Sequence, residues 1–270
     1  MIKSIVITGS TRGIGFGLAE SFLARNCTVM VSGRSREGVD SAIEELRSRD
    51  PENRVFGHPC DVREPEQLKA LWDEAILRLG KIDIWINNAG LSGPQMMTWE
   101  LAPGQVKEVV DTNILGVIFG SQIAVRGMLD QGYGSIYNME GMGGDGRMHE
   151  GLIPYGMTKY GVNYFTRGLV KETNGRSIIV GSISPGMVVT SFLTKQYEDR
   201  PDEFEKAKRI FNIIANRVED VAPWLADKIL ENDKSGIRIS YMSRWKFLFR
   251  FLSAPFSKRD IFLEDKAAIL

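Results

Sequence analysis

Tyr155 and Lys159 stand four residues apart, a spacing that places a phenol and an ammonium on one helical face with about 6 Å between their Cβ atoms. A free phenol has a pKa of about 10 and seldom releases a proton near neutral pH. A neighbouring ammonium stabilises the phenolate and would draw that value down, three units being worth about 4 kcal/mol. The pair has the chemistry of a proton donor with a tuning cation, although tyrosine and lysine at this spacing also occur as ordinary surface pairs. A second constellation, Thr8-Gly9-Ser10-Thr11-Arg12-Gly13-Ile14-Gly15, follows an apolar run and opens an apolar-periodic helix. Glycines there let the backbone turn tightly and approach a pyrophosphate, while the helix N-terminus supplies positive potential.

These groups need a scaffold that brings residues 9–15 and 155–159 together. Short β-branched runs at Ser4 to Thr8, Thr28 to Ser32, Arg54 to Cys60, Ile82 to Ile86, Ser135 to Met139, Ser177 to Ile183 and Arg238 to Met242 alternate with amphipathic stretches. Ile14, Leu18, Phe22 and Leu23 recur at helical spacing, as do Leu68, Leu71, Trp72, Ala75 and Leu79. The alternation predicts βαβ units, hence an α/β fold: a single Rossmann-type doubly wound parallel sheet of about seven strands with helices on both faces. One domain spans 1–270. The charged stretch 190–219 interrupts the alternation after Pro185-Gly186 and reads as a helical lid, and 243–270 reads as a C-terminal extension.

At the end of the second strand, where such folds place the adenosine ribose, the chain has Ser32-Gly33-Arg34-Ser35-Arg36 and no acid to take both ribose hydroxyls. An arginine suits the 2′-phosphate of NADP, so Arg34 points to NADPH, with Arg12 as a second cation. Arg34 and Arg36 could equally be solvated residues starting a helix, which leaves an NAD-dependent alcohol dehydrogenase as an alternative.

Thirty-four basic and thirty-four acidic residues cancel, so no overall field draws the chain to nucleic acid or to an anionic membrane. Cys27 and Cys60 fall in stretches that read as strand and lack zinc-type spacing; with no secretory leader pattern at the N-terminus, a cytoplasmic setting is expected. His58 and His149 form no metal-binding motif, and no metal site is expected.

Taken together, the motifs resemble the short-chain dehydrogenase/reductase family over at least residues 3–190. The resemblance rests on Thr8 to Gly15, Asp61, Asn87-Asn88-Ala89-Gly90, Asn113, Tyr155-x-x-x-Lys159 and Pro185-Gly186, all in the family's order. It implies that Asp61 and Val62 contact the adenine, Asn88, Ala89 and Gly90 line the cofactor ribose, and Val188 and Thr190 hold the nicotinamide carboxamide. It further implies that Tyr155 protonates the carbonyl oxygen, Lys159 binds the nicotinamide ribose and lowers the Tyr155 pKa, and Asn113 holds a relay water. A homodimer or homotetramer is implied too.

One position departs from the family. No serine follows the fifth strand, and Gly141 stands where it is expected. Losing an oxyanion donor typically costs about 3 to 4 kcal/mol, so either a main-chain amide or a protonated Glu140 substitutes, or the chain is a catalytically silent NADPH sensor. The Glu140-Gly141 pair with its glycine-rich continuation, together with Ser184 to Thr190 and Phe211 to Ala215, resembles the chlorophyll b reductase branch of the family. That branch reduces a formyl group on a flat apolar macrocycle. Met96, Met97, Met142, Met148, Leu152, Met187 and Phe192 would wall a pocket for such a bulky apolar carbonyl substrate, or else half of them are core. The aromatic and basic tail from Arg244 to Phe256 is expected to close over the pocket or to pack between subunits; peripheral membrane contact ranks behind both.

Overall fold

The structure is a computed structural model that describes residues 2–50, 52–194, 197, 201–254 and 259–262. Within the expected lid and tail, residues 195, 196, 198–200, 255–258 and 263–270 lie outside the described residues, Phe256 among them.

Seven strands form one parallel sheet: β1 (Ser4–Ile7), β2 (Thr28–Gly33), β3 (Val55–Pro59), β4 (Ile84–Asn87), β5 (Gly134–Met139), β6 (Ile178–Ser184) and β7 (Arg238–Ser240), in the order β3-β2-β1-β4-β5-β6-β7. Successive side chains point to opposite faces, and the burial of β1 shows the consequence. Ile5 and Ile7 join one core layer with Leu18, Phe22 and Leu225, whereas Val6 joins the other with Leu71, Trp85 and Ile136. Helices α1 (Gly13–Leu23) and α9 (Val218–Glu231) therefore cover one face, and α3 (Pro65–Leu79) and α5 (Gly116–Gln131) cover the other. Both faces are dry, which accounts for strands that read as apolar runs without polar alternation.

The remaining helices are α2 (Arg36–Arg49), α4 (Pro103–Val110), α6 (Ile153–Glu172), the short α7 (Ser191–Thr194), α8 (Pro201–Ile214) and α10 (Arg244–Ser253). The π-helical turn Asp111–Leu115 joins α4 to α5. Among the described residues of 190–219, α7, α8 and the start of α9 are helical, and α8 packs over a small third core in which Phe211, Ala215 and Ile261 meet Met187 and Phe204. The strand boundaries correct the placement of the cysteines: Cys27 precedes β2 and Cys60 follows β3. Both are free and buried.

Candidate active site

Strand order reverses direction between β1 and β4, and the carboxyl ends of these two strands bound the crevice in which such sheets bind ligands. The glycine turn leaves β1 at Gly9, whose φ is +62°; a Cβ there would lie 2.7 Å from Ala89 Cα. The turn is thus clamped against the segment after β4. Asn88 and Ala89 donate backbone N–H groups to Thr8 Oγ1 at 3.0 and 3.2 Å, and Asn88 Nδ2 donates to the carbonyls of Thr8 and Gly9 at 2.9 and 2.8 Å. The side chain of Asn88, expected beside the cofactor ribose, holds the turn together. Gly15 is packed just as tightly, 2.6 Å from the Gly9 carbonyl oxygen to a built Cβ, and Ile14 packs on the core. Ser10 Oγ donates to Ile7 O.

The start of α1 fits an anion. Its N-cap residue, Arg12, is extended and gives no side-chain hydrogen bond to the first turn, so the N-terminal N–H groups are left for a ligand such as a pyrophosphate. Gly13, at φ +60°, opens the helix, and the Thr190 methyl lies 3.5 Å from where its Cβ would be. Thr190 thereby closes the turn from the side of β6, following Pro185, the exposed Gly186 and the buried Val188.

The two cations expected at the adenosine end leave from adjoining backbone. Ser10 N donates to Ser32 O at 2.8 Å, Ser32 N donates to Ser10 Oγ at 2.9 Å, and a Cβ on Gly33 would touch Thr11 Cγ2 at 2.6 Å. Arg12 and Arg34, far apart in sequence, are therefore neighbours along this rim. Both are exposed, and Arg34 makes a 3.5 Å ion pair with Glu108. Asp61, at the end of β3, is engaged by Arg63, whose Nε and Nη2 donate to its two oxygens at 2.9 and 2.5 Å. Those hydrogen bonds hold the Asp61 carboxyl below the usual carboxylate range. Val62 is buried, packing on α5 at Gly116.

Asn113 lies in the π-helical turn, a widening often found at functional sites. Its fully buried side chain accepts from Leu91 N at 2.8 Å and donates to Leu91 O at 2.8 Å and Thr158 Oγ1 at 3.0 Å. Thr158 in turn donates to Tyr155 O at 2.7 Å. Asn113 thus ties the first turns of α6 to the loop after β4. Both its N–H donors are committed, leaving one lone pair of Oδ1 for the expected relay water. A Cβ on Gly90 would sit 3.2 Å from Asn113 Oδ1 and 3.5 Å from Lys159 Nζ, so these three residues converge at the crevice.

Tyr155 and Lys159 are both buried on the same side of α6, with Nζ 5.8 Å from the centre of the phenol ring. Nζ donates to Met139 O at 3.1 Å. Burial pushes the Lys159 ammonium down to about 8, against the opposing pull of the Glu140 carboxylate, and pushes the Tyr155 phenol up. In the polypeptide alone, burial sets the direction of the phenol's shift. The phenol consequently stays protonated across the physiological range, the form a proton donor needs.

Gly141 stands against the phenol: a Cβ there would be 2.2 Å from Tyr155 Oη and 3.2 Å from Lys159 Cε. The tyrosine tip fills the space a larger residue would claim. Glu140 does not replace the missing hydroxyl. Its side chain is fully buried, with Oε1 accepting from Asn163 Nδ2 at 3.2 Å and Oε2 from Arg238 Nε at 2.7 Å. Arg238 also donates to Ser184 Oγ at 3.0 Å. Asn163 and Arg238 were not singled out in the sequence. Asn163 lies one turn beyond Lys159 on α6, a usable signal, whereas nothing local links Glu140 to Arg238 on β7.

On the substrate side, a narrow cleft of about 10 Å³ is lined by Ser92, Pro94, Val106, Leu152 and Tyr155 among others. Phe192 covers the phenol from α7, ring centres 6.0 Å apart. None of the seven expected wall residues is buried: Met96, Met148 and Phe192 are exposed, while Met97, Met142, Leu152 and Met187 are half-buried. Met187, however, also packs into the third core. A larger depression, about 760 Å³, lies at the β3 edge between α2 and α3, lined by Arg36, Arg47, His58 and Glu74; it holds none of the groups above.

Sheet order, a glycine turn feeding an uncapped helix, and a tyrosine and lysine at the same crevice define a dinucleotide-binding oxidoreductase scaffold. The chain belongs to the short-chain dehydrogenase family, whose model, described as "short chain dehydrogenase", matches residues 3–201. It is 32% identical over 284 residues to "Probable chlorophyll(ide) b reductase NYC1, chloroplastic" of Arabidopsis thaliana, covering 99% of this chain and 56% of that protein. It is 37% identical over 231 residues to "Chlorophyll(ide) b reductase NOL, chloroplastic" of Oryza sativa subsp. japonica, covering 84% and 66%. The chain thus spans between about half and two thirds of the length of these relatives. Among solved structures it matches an actinorhodin polyketide ketoreductase with NADPH at TM-score 0.78 and 29% identity, covering 88% of this chain and 96% of that one.

Proposed function

We propose that the chain is an NADPH-dependent reductase acting on the aldehyde or ketone of a bulky apolar substrate, the formyl group of a chlorophyll b-like ring being the favoured case. The observation that carries this reading is the Tyr155 phenol held beside Lys159 at a narrow cleft whose lining includes Pro94, Val106 and Leu152. The names of the two plant relatives support the ring substrate.

Bound NADPH would supply the hydride. Arg12 and Arg34 would hold its 2′-phosphate, the N-terminus of α1 its pyrophosphate, Gly90 and Lys159 the nicotinamide ribose, and Val188 and Thr190 the carboxamide. Tyr155 Oη hydrogen-bonds the substrate carbonyl and gives up its proton as negative charge develops on that oxygen. Lys159 supports the resulting phenolate electrostatically, and Glu140 keeps a negative charge close enough to favour the ammonium. Asn113 fixes the loop after β4 against α6, so that Gly90, Tyr155 and Lys159 keep their spacing. With Gly141 offering no hydroxyl, Tyr155 is the one side chain assigned to the oxyanion.

A homodimer or homotetramer is part of the proposal, supported by Leu115, Leu129, Met157, Tyr160 and Tyr164, which lie exposed at and around α5 and α6. So is a cytoplasmic, reducing setting, supported by two buried free thiols. The test is NADPH oxidation over a panel of apolar aldehydes and ketones that includes a formyl-bearing chlorophyll. Turnover of bulky members supports the reading. NADPH binding without oxidation of any member would favour the silent sensor, a reading motivated by the glycine at 141.

A further inference from the structure

Helix α10 turns its apolar side outward. Trp245, Leu248, Phe249 and Leu252 recur at i, i+3, i+4 and i+7, and they are 80%, 48%, 71% and 68% exposed. The other side of the helix faces the protein. Lys246 Nζ stacks 3.6 Å over the Tyr241 ring, and Arg250 Nη1 donates to Ala215 O at 3.5 Å beside α8. The expected closure of this tail over the pocket is therefore not what the described residues show, since the rings that would line a pocket point to solvent.

Charge sets this segment apart from the rest of a neutral chain. Between Asp233 and Asp260 there is no acidic residue, while Lys234, Arg238, Arg244, Lys246, Arg250, Lys258 and Arg259 supply seven basic ones. A convex, Trp-bearing stripe on a single helix, within an acid-free basic stretch, matches the requirements of an anionic lipid interface. Arg238 pairs with Glu140, and Lys246 and Arg250 lie on the protein side of α10, so the apolar stripe is what enters the acyl boundary, and the basic excess of the segment biases it toward an anionic surface.

We propose that α10 is a membrane-docking helix that seats the protein on anionic bilayers through Trp245, Leu248, Phe249 and Leu252. Neither lipid anchor nor spanning helix is invoked. The helix follows directly from β7 at the carboxyl end of the sheet, the end that also carries the crevice, and the inference does not depend on which substrate the crevice takes.

The test is co-sedimentation of the full chain with vesicles of phosphatidylcholine containing phosphatidylglycerol, and with vesicles of phosphatidylcholine alone, at low and high salt. The parent should pellet with the anionic vesicles, less so at high salt, and partition into them at least about tenfold better than the Trp245→Glu/Phe249→Glu variant. NADPH affinity of that variant should equal the parent's, which shows that it is folded. A parent left in the supernatant with anionic vesicles, or a variant that pellets equally well, overturns the proposal. So does a parent that self-associates through this face, running larger than the variant on gel filtration, and does not bind vesicles.

Discussion

Gly141→Ala isolates the packing of the phenol from every other feature of the site. The added methyl would start 2.2 Å from Tyr155 Oη, and ordinary contact begins at 3.4 Å, so the oxygen must retreat by about 1.2 Å. Because the opposing atom is the end of a side chain, the ring can yield and the fold should lose less than about 1 kcal/mol. Catalysis has no such tolerance: a misplacement of about 1 Å typically costs about a hundredfold, or about 2.7 kcal/mol of transition-state stabilisation. Steady-state NADPH oxidation should therefore show kcat down by about a hundredfold, with NADPH affinity and thermal midpoint close to the parent's. Gly141→Ser adds the same methylene with a hydroxyl that can serve the oxyanion, so it should be faster than the alanine variant. Retention of the parental rate by Gly141→Ala within about threefold would refute the claim that the phenol works from its seat against residue 141.

Three further outcomes follow from the charges. Arg34→Asp should weaken NADPH about 10- to 100-fold by the loss of charged hydrogen bonds, leaving NADH binding unchanged or improved, as fluorescence titration of both cofactors would show. As pH rises through about 8, Lys159 loses its proton, so kcat/KM should fall on that alkaline limb, and Glu140→Gln should move the limb to lower pH by removing a neighbouring negative charge. Lys159→Met should abolish turnover yet stabilise the fold at pH 7 by about 1 to 3 kcal/mol in urea unfolding, because it removes a buried cation. The sign is fixed by the depressed folded pKa: between about 8 and the higher unfolded value the unfolded chain binds more protons, so this group makes stability rise with pH across that window.

The sheet was legible because its strands are buried on both faces and so appear as apolar runs; their ends shifted by one or two residues where ladder pairing stops, as at Ile82 and at Asn87. The glycine turn and the Tyr155–Lys159 pair were legible because each is local, one to a turn and the other to a helical face. What escaped was everything fixed by contacts distant in sequence. A protonated Glu140 was offered as a substitute for the missing serine hydroxyl, yet Arg238, 98 positions away, holds its carboxylate elsewhere. The clamp that Asn88 places on the glycine turn, 79 and 80 positions away, was equally invisible. The direction of the Tyr155 and Lys159 shifts in the polypeptide alone was not legible, because a sequence gives spacing along α6 but not desolvation.

The measurement that bears most directly on the account is turnover by Tyr155→Phe, which removes the phenolic oxygen and little else. With a bulky apolar aldehyde that the parent reduces, the variant should bind NADPH within a few fold of the parent and oxidise it at least about a thousandfold more slowly. A variant that reduces the aldehyde at the parental rate would show that the proton comes from another group.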